Sequence, residues 1–265
     1  VVDCPAPRTI AAEGKDQPVS AEVHDKAGNS GSASILVSID RSKPAIPAAV
    51  DPSANADGWH NAPVTVTFTC SDALAGIATC PSPVTITTDG LAQAVSGTAI
   101  DNAGNSQSTS VTLNVDLTPP SIVGIPTGSG VSNSDVTVHF QCSDTGSGLA
   151  VCPPDQVITT EGLNQTITGT ARDKAGNTAV ATVVVSLDRT KPGIAAAVAP
   201  AANANRWHRT DVDITFTCSD TGSGVAQCAS PAKVTTEGTG QSVSGEARDN
   251  AGNVASATTT INIDK

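Results

Sequence analysis

Aspartate is the residue whose placement in this 265-residue chain points most directly to chemistry. It opens a D-x-A-G-N pentapeptide that occurs four times, at Asp25, Asp101, Asp173 and Asp249. Two further aspartates recur beside it, one in a C-S-D tripeptide and one just before a short proline-containing segment. Carboxylates that lie close together repel one another unless a cation joins them, and calcium takes about 6–8 oxygen ligands of this kind. The pattern therefore raises the question of a divalent cation.

Six of the seven cysteines fall in three pairs with the same nine-residue spacer. Structural zinc sites use four ligands, usually from closer cysteine pairs with histidines in register, and no histidine recurs beside these pairs. The spacing therefore predicts three local disulfides, which form in an oxidising, extracytoplasmic compartment. The predicted bonds are Cys70–Cys80, Cys142–Cys152 and Cys218–Cys228. Cys4 is left unpaired in this chain.

These motifs belong to a tandem repeat, with one partial copy followed by three full copies. The expected domains are 44–119, 120–191 and 192–265, preceded by the C-terminal half of a domain at 1–43. Cys4 aligns with the second cysteine of a pair, so the chain is expected to begin within a domain. Either the sequence is cut from a longer array, or another molecule supplies the missing half.

Short stretches of alternating apolar and polar residues fill each copy. In the second copy Val64, Val66 and Phe68 alternate with threonines, which is the period of a half-buried strand. Turn residues interrupt these stretches about every 8–12 residues, and no helical period is sustained. The pattern predicts an all-β chain of tandem immunoglobulin-like β-sandwich domains. The linkers 40–44, 116–120 and 188–192 are short and contain proline, so an elongated rod is expected.

The segments "GWHNAPVTVTFTCSD", "SGTAIDNAGN" and "VDLTPP" resemble the bacterial Ig-like repeats of large secreted and surface proteins. The resemblance covers essentially the whole chain. It implies the sandwich fold, and it implies little about function because such modules serve as stalks, spacers and adhesive units. Some members of this group carry calcium at their domain junctions, which favours the metal hypothesis here.

In a sandwich of this type the three kinds of aspartate meet at one pole. The loop after the second strand, the turn before the last strand and the linker all lie at the pole that faces the preceding domain. The expected calcium ligands are Asp40, Asp72 and Asp101; Asp116, Asp144 and Asp173; and Asp188, Asp220 and Asp249. The asparagines of the same turns can add amide oxygens, and these are Asn105, Asn177 and Asn253.

A second interpretation needs no metal. An aspartate that precedes Asn-Ala-Gly-Asn can form an Asx-type turn in which glycine takes a positive φ. Arg41 and Arg189 also follow two of the linker aspartates and could neutralise them. The joint recurrence of all three aspartates favours calcium, because a turn alone does not require the other two. Both interpretations remain open from the residues alone.

Composition excludes several classes of function. A net charge of −11 and a pI near 4.5 argue against nucleic acid as a partner, and no segment predicts membrane insertion. No G-x-S-x-G, H-E-x-x-H or P-loop motif occurs. The paired carboxylates repeat in every full domain, whereas an enzyme rarely duplicates its active site in this way, so the chain is not expected to be an enzyme. Calcium is the one candidate cofactor.

The expected function is a structural or adhesive stalk of an extracellular or cell-surface bacterial protein, with fibre formation by neighbouring protomers as one variant. Its partners would be further Ig-like domains, of this chain or of another copy, or a surface receptor. The alternative is an array that binds a glycan or a protein and is appended to a larger secreted protein or hydrolase. Trp59-His60 and Trp207-His208 are the residues that could serve this alternative, although packing in the core or at a junction explains them better.

Overall fold

A computed structural model describes residues 3–265, which form strands, turns and extended segments and contain no helix. No helix long and apolar enough to cross a lipid bilayer occurs in this part of the chain. The predicted all-β class is therefore confirmed. The chain divides into two compact units. The first holds the chain up to Pro119 with Asp144–Gly148 and Asp173–Asn177, and the second holds Pro120–Ser143, Leu149–Arg172 and Thr178–Lys265.

Twenty-one strands account for the regular structure of the described residues. The first repeat contains β1 (Gly14–His24) and β2 (Ser30–Ile39). The second contains β3 (Ala48–Asp51), β4 (Val64–Phe68), β5 (Ile77–Thr79), β6 (Val84–Ile86), β7 (Gly90–Asp101) and β8 (Ser106–Val115). The third contains β9 (Ser121–Pro126), β10 (Val131–Ser132), β11 (Val136–Ser143), β12 (Leu149–Val151), β13 (Gln156–Ile158), β14 (Gly162–Asp173) and β15 (Thr178–Leu187). The fourth contains β16 (Gly193–Ala199), β17 (Val212–Ser219), β18 (Val225–Cys228), β19 (Ala232–Val234), β20 (Gly238–Asp249) and β21 (Val254–Ile263).

Each full repeat is a sandwich of two small sheets. In the second repeat β3-β4-β6 forms one sheet and β5-β7-β8 the other. The third repeat has β13-β11-β9 and β10-β15-β14-β12, and the fourth has β16-β17-β19 and β18-β20-β21. The pairs with a described register are antiparallel, except β10 with β15, which is parallel. Long hairpins such as β7–β8, which pairs Ile100 with Ser106, carry the D-x-A-G-N turn at their tip.

The core of each sandwich forms where alternate side chains of the two sheets meet. In the second repeat Val64 and Val66 of β4 face Leu113 and Val115 of β8, and the exposed fraction of each is at most 3%. The corresponding residues of the third and fourth repeats are equally buried, including Val138 and Ile214. The alternation that predicted the strands therefore also identifies the residues that stabilise the fold.

One phenylalanine in each sandwich lies directly on a glycine of the opposite sheet. The side chain of Phe140 covers Gly169, where an added Cβ would lie 2.4 Å from the ring atom Cε1. Gly97 and Gly245 stand in the same relation to the phenylalanines of their own repeats. Only a residue without a side chain allows the ring to pack this closely on the strand.

The first repeat consists of the β1–β2 hairpin alone. Ile35 and Leu36 are 63% and 65% exposed. Val111, which stands at the position of Ile35 in the second repeat, is half-buried. Ala21 occupies the place that glycine holds in the other repeats. Cys4 is a free, exposed thiol.

The three disulfides have the predicted pairing. Each joins the first cysteine, at or just after the end of β4, β11 or β17, to a second cysteine ten residues later. The Cys142–Cys152 bond connects β11 of one sheet with the segment that follows β12 of the other sheet. It therefore crosslinks the two layers of the sandwich at one edge.

Candidate functional site

The three predicted sets of aspartates each come together in the structure. One carboxylate oxygen from each of three aspartates lies within 4.8 Å of the other two in every set. The first cluster contains Asp40, Asp72 and Asp101, the second Asp116, Asp144 and Asp173, and the third Asp188, Asp220 and Asp249. In each cluster the first aspartate comes from the linker, the second from the C-S-D tripeptide and the third from the D-x-A-G-N turn. The three segments are distant in sequence.

The turn aspartate of each cluster is held by its own turn. In the first cluster the Oδ1 atom of Asp101 accepts hydrogen bonds from the backbone N–H groups of Ala103 and Asn105, at 2.8 and 2.9 Å. The turn closes with a hydrogen bond from the N–H of Asp101 to the carbonyl of Asn105. Gly104 has a φ of 92°, which glycine adopts without strain. The Asx-turn interpretation is therefore correct for these residues, and it leaves the other two aspartates unexplained.

The last asparagine of each turn connects the turn to the linker. The amide nitrogen of Asn177 donates one hydrogen bond to the Asp173 carboxylate and another to the carbonyl oxygen of Asp116, both at 2.8 Å. Asn105 and Asn253 make the same pair of bonds in their own clusters. In this geometry the asparagines donate from nitrogen, so the oxygens that converge on one point are those of the aspartates.

Glycine allows the C-S-D loop to approach the linker carboxylate in the second and third clusters. A Cβ at Gly146 would lie 2.5 Å from the carboxyl carbon of Asp116, and a Cβ at Gly222 would meet the Asp188 carboxylate at the same distance. The second repeat has Leu74 at this position, and its linker residue Asp40 is half-buried where Asp116 and Asp188 are buried. The first cluster is therefore more open than the other two.

Asp101 and Asp188 are buried, and hydrogen bonds keep the pKa of each carboxyl low. Burial raises the pKa of Asp101, but hydrogen bonds from the Asn105 side chain and from the turn backbone outweigh it and hold the pKa below its ordinary value. For Asp188 burial likewise raises the pKa, and hydrogen bonds led by the Ser223 side chain lower it further than burial raises it. Both groups are therefore negatively charged at neutral pH.

No cationic side chain compensates these charges among residues 3–265. The ion pairs of the structure join other residues, and none includes an aspartate of the three clusters. Arg41 and Arg189 do not neutralise the linker aspartates beside them. Their guanidinium groups donate to the backbone carbonyls of Ala11 and Thr159 instead, at 2.8 and 3.0 Å. The Arg189 guanidinium also forms an ion pair with the Asp135 carboxylate, which belongs to none of the clusters.

The arrangement fits a hard divalent cation. Calcium binds oxygen at about 2.3–2.6 Å, so oxygens on opposite sides of one ion are separated by up to about 5 Å. The 4.8 Å limit of each cluster satisfies this condition. Hydrogen bonds from backbone N–H groups stabilise the carboxylates in part. Three buried or half-buried carboxylates that form no ion pair with a basic side chain are nevertheless what a bound cation would neutralise.

A recurring acidic residue in a predicted turn holds the linker in place. The sequence alone predicts no other role for it. Glu161 accepts hydrogen bonds from the N–H of Arg189 and the hydroxyl of Thr190, at 2.6 and 3.1 Å. Asp89 accepts from Leu117 and Thr118 in the same way. Glu13 and Glu237 complete the set. The signal was present in the sequence as the acidic residue before glycine in "AEG", "TDG" and "TEG".

These contacts predict a low pKa for Asp89. The hydroxyl of Thr118 and then the N–H of Leu117 hold its pKa below the ordinary value, and burial opposes them only weakly. We expect Thr118→Val to raise the pKa of Asp89 in an NMR carboxyl titration, while Thr112→Val on the neighbouring strand leaves it unchanged. Because the folded pKa is depressed, the contact adds stability above about pH 4 and loses it as the pH falls through the folded pKa. An Asp89 pKa unaffected by Thr118→Val would contradict the assignment.

The linkers are anchored by apolar burial as well. Pro44, Pro120 and Pro192, which end the three linkers, are all buried. The linker backbone therefore has both a buried proline and hydrogen-bonded N–H groups, which leaves it few alternative conformations.

The two Trp-His pairs lie in loops and share one arrangement. His60 and His208 are buried, with 5% and 6% of their surface exposed, and their Nδ1 atoms have no hydrogen-bond partner among residues 3–265. Their backbones pair with the last strands of their own sandwiches, at Val115 and Ile263. The burial of the two histidines and the pairing of their backbones fit a packing role.

Comparison with known proteins identifies no relative that assigns a function. No protein family and no curated protein matches the chain. Among solved structures it is similar to a tetra-tandem repeat in the extending region of a large adhesion protein, at 16% identity over 94% of this chain and 82% of that chain, with a TM-score of 0.33.

Two further solved structures are similar at the same low level. Extracellular cadherin domains 3–6 of protocadherin gamma B2 give 14% identity over 93% of this chain and 82% of that one, with a TM-score of 0.28. A Bacteroides ovatus protein of a mixed-linkage glucan utilization locus, SGBP-B in complex with a heptasaccharide, gives 11% identity over 85% and 71%, with a TM-score of 0.19. At these values the likenesses carry no functional argument, and the assignment of fold rests on the strands and sheets described above.

Proposed function

We propose that the chain is a non-catalytic structural or adhesive stalk of an exported bacterial surface protein, built from Ig-like domains at the expected boundaries and stiffened by disulfides and calcium. The observation that supports this most strongly is the aspartate cluster. It recurs three times with the same three sources of carboxylate, and one of the three is always the linker. A site repeated once per domain suits a mechanical role better than catalysis, which needs one site.

Calcium would act on the linker. An ion held by Asp116, Asp144 and Asp173 would join the linker residue to two loops of the following repeat. Carboxylate repulsion would then be replaced by attraction to a shared cation, and the linker would lose its freedom relative to those loops. The same reasoning applies to the other two clusters. Disulfides that accompany each cluster support an extracellular location, where both oxidation and free calcium are available.

Chelation tests this proposal. We expect EGTA to lower the melting temperature of the wild-type chain by about 10–20 °C and to change its small-angle scattering curve, with recovery on adding calcium. Occupation of a site at about a hundred times its Kd stabilises a fold by roughly 2.7 kcal/mol, which is a shift of this size for a small domain. Magnesium at the same concentration is the control, because it requires stricter octahedral geometry.

A matched variant separates metal binding from general charge. Asp173→Asn keeps the shape of the side chain and removes one of the charges of the second cluster, and Asp155→Asn removes an exposed carboxylate outside the clusters. We expect only Asp173→Asn to reduce the response to EGTA. An unchanged melting temperature in EGTA for the wild-type chain would reject the calcium part of the proposal.

A further inference from the structure

One loop of the second repeat, residues 55–61 and here called the second-repeat loop, holds two of the three segments that form the second aspartate cluster. Asn55 folds this loop, because its Oδ1 atom accepts hydrogen bonds from the backbone N–H groups of Asp57 and Trp59, both at 3.0 Å. A bond from the N–H of Asn55 to the carbonyl of Trp59, at 2.8 Å, closes the loop. The side-chain oxygen of Asn55 is thus used within the loop, and its amide nitrogen donates elsewhere.

The first of these segments is the D-x-A-G-N turn of the second cluster. The Nδ2 atom of Asn55 donates to the carbonyl oxygens of Lys174 and Ala175, at 2.7 and 3.0 Å. The Nδ2 atom of Asn61 lies 3.4 Å from the position that a Cβ of Gly176 would take in the same turn. Ala175 is 3% exposed beneath these contacts. The second-repeat loop therefore holds the turn by its carbonyl groups.

The same turn is held from its other side by the loop that follows the C-S-D tripeptide. The N–H of Lys174 donates to the carbonyl of Gly148 at 2.9 Å, and the N–H of Ala175 donates to the hydroxyl of Ser147 at 3.0 Å. The N–H of Gly148 in turn donates to the Asp144 carboxylate at 2.7 Å. The N–H groups of the turn are therefore bound on the cluster side, and its carbonyl groups are bound by Asn55.

The second segment held by the loop is the linker. The N–H of Asp116 donates to the carbonyl of His60 at 2.9 Å, and the N–H of His60 donates to the carbonyl of Asn114 at the same distance. His60 belongs to the loop that Asn55 folds. One loop therefore anchors both Asp116 and the turn that carries Asp173, and it fixes two of the three carboxylates of the cluster relative to each other.

The third cluster gives an internal comparison, because its linker also joins two full repeats. This linker is held in the same way, by a hydrogen bond from the N–H of Asp188 to the carbonyl of Ser132 at 2.8 Å. The Nδ2 atom of Asn133 lies 3.7 Å from the Cβ position of Gly252, where Asn61 stands in the second repeat. Two of the three contacts made by the second-repeat loop thus have counterparts at the third cluster.

The contact of Asn55 has no counterpart there. Among residues 3–265 no side chain donates to the carbonyls of Asn250 or Ala251. The hydrogen bonds of these two residues instead run from their own N–H groups, and from the Asn250 amide, to the C-S-D loop of the fourth repeat. Ala251 is half-buried where Ala175 is buried. The turn of the third cluster is therefore held from the cluster side alone.

We propose that Asn55 is a positioning residue of the second calcium site, so that calcium binding there and docking of the second-repeat loop on the turn 173–177 strengthen each other. The inference rests on the proposed function, because it needs an ion at the cluster. Asn55 supplies no ligand. It holds the turn of Asp173 while the His60 carbonyl holds Asp116, so the two carboxylates lose less freedom when an ion binds. Coupling of this kind is reciprocal, so the ion also stabilises the docked loop.

The calcium affinity of the second cluster tests the inference. The background chain carries Asp72→Asn and Asp220→Asn, which remove one carboxylate from each of the other two clusters and leave the second intact. In this background Asn55→Asp keeps the Oδ1 acceptor that folds the loop and replaces the donor with an oxygen that repels the turn carbonyls. We expect isothermal titration calorimetry to show calcium binding that is weaker by about threefold to tenfold, the effect of losing hydrogen bonds that are exposed to solvent.

The direction of the change separates positioning from charge. Asn55→Asp adds a negative charge, which by itself would favour a cation and tighten binding. Lys174 is the one basic residue of the turn, so Lys174→Gln is included in every sample to keep its ammonium from pairing with the new carboxylate. Asn203→Asp is the matched control. Asn203 folds a loop of the fourth repeat through the same two kinds of bond, and this change should leave the Kd unchanged.

The reciprocal effect gives a second readout, which a merely structural role of Asn55 would not move. Calcium should slow the hydrogen exchange of the Asp57 and Trp59 amides, which belong to the loop and not to the cluster. We expect this protection in the background chain and not in the Asn55→Asp chain, because the variant separates the loop from the turn while its own acceptor remains in place.

The inference and the calcium proposal fail in different ways. A background chain that binds calcium with a Kd that Asn55→Asp leaves unchanged or lowers overturns the inference, and the calcium proposal stands. A background chain that binds no calcium overturns the inference as well, and the EGTA response of the wild-type chain then decides whether the other two clusters bind the ion.

Discussion

Removal of the Cys142–Cys152 disulfide is expected to lower the free energy of unfolding of the third repeat by about 2 to 3 kcal/mol. The bond closes a loop of ten-residue separation and crosslinks the two sheets of this sandwich. In the chain-entropy account its loss frees the unfolded chain, and the small core of a short domain cannot compensate. The variant is the paired substitution Cys142→Ser with Cys152→Ser, and Cys4→Ser is the matched control.

The measurement must report on the third repeat, and the positions of the two tryptophans allow the other repeats to be followed separately. Its two tryptophans are Trp59 in the second repeat and Trp207 in the fourth, so fluorescence follows those repeats and not the third. Hydrogen exchange of the β11 and β14 amides should show the loss of stability while both tryptophans unfold at unchanged denaturant concentrations. Unchanged hydrogen exchange in β11 would mean that the disulfide does not contribute to the free energy of unfolding of the third repeat, and would contradict the prediction.

Gly169→Ala is expected to destabilise the same repeat by about 1–3 kcal/mol, the usual effect of overpacking a core. The added Cβ would lie 2.4 Å from the Phe140 ring, which must move away from the opposite sheet. Gly31→Ala is the control, because its Cβ would meet only a Val23 methyl at 3.8 Å. Thermal or denaturant unfolding followed by hydrogen exchange gives the difference.

A double substitution gives a sharper test of this packing. If the ring is the obstacle, Gly169→Ala combined with Phe140→Leu should lose less stability than the sum of the two single changes. Additive losses would show that the strand backbone, and not the ring, rejects the methyl group. The first repeat agrees with the steric account, because it has Ala21 at this position and no aromatic ring of residues 3–265 packs on it.

The strands, the pairing of cysteines and the meeting of the aspartates all follow from the repeat. The repeat indicates a sandwich whose linker, C-S-D loop and D-x-A-G-N turn lie at one pole. Asp40, Asp72 and Asp101 can therefore be placed together from the sequence alone. The period-two alternation around Val64 and Val66 similarly identifies the core. The structure adds that one carboxylate oxygen from each member of a cluster lies within 4.8 Å of the other two. The binding of calcium, the domain boundaries and the rod remain predictions.

Other features depend on contacts that no local pattern encodes. The acidic residue that holds each linker, such as Glu161, lies 28 residues before its partner Arg189, so its role becomes visible only when both are placed. The same is true of Gly146, whose missing side chain lets the loop touch Asp116. Arg41 and Arg189 were plausible partners for the neighbouring aspartates, but their guanidinium groups donate to backbone carbonyls, and that of Arg189 also pairs with Asp135.

The anchored linkers have a consequence for proteolysis. A protease binds its substrate as an extended segment of several residues whose backbone groups are free. The segment from Asp188 to Pro192 has few free backbone groups. Arg189 donates its N–H to Glu161, Thr190 donates its N–H to Asp188, and Pro192 is buried. Cleavage between repeats therefore has to wait for local opening of the fold. The joints of the chain are thus protected by their hydrogen bonds and buried prolines, although the side chains of Arg189, Thr190 and Lys191 are exposed.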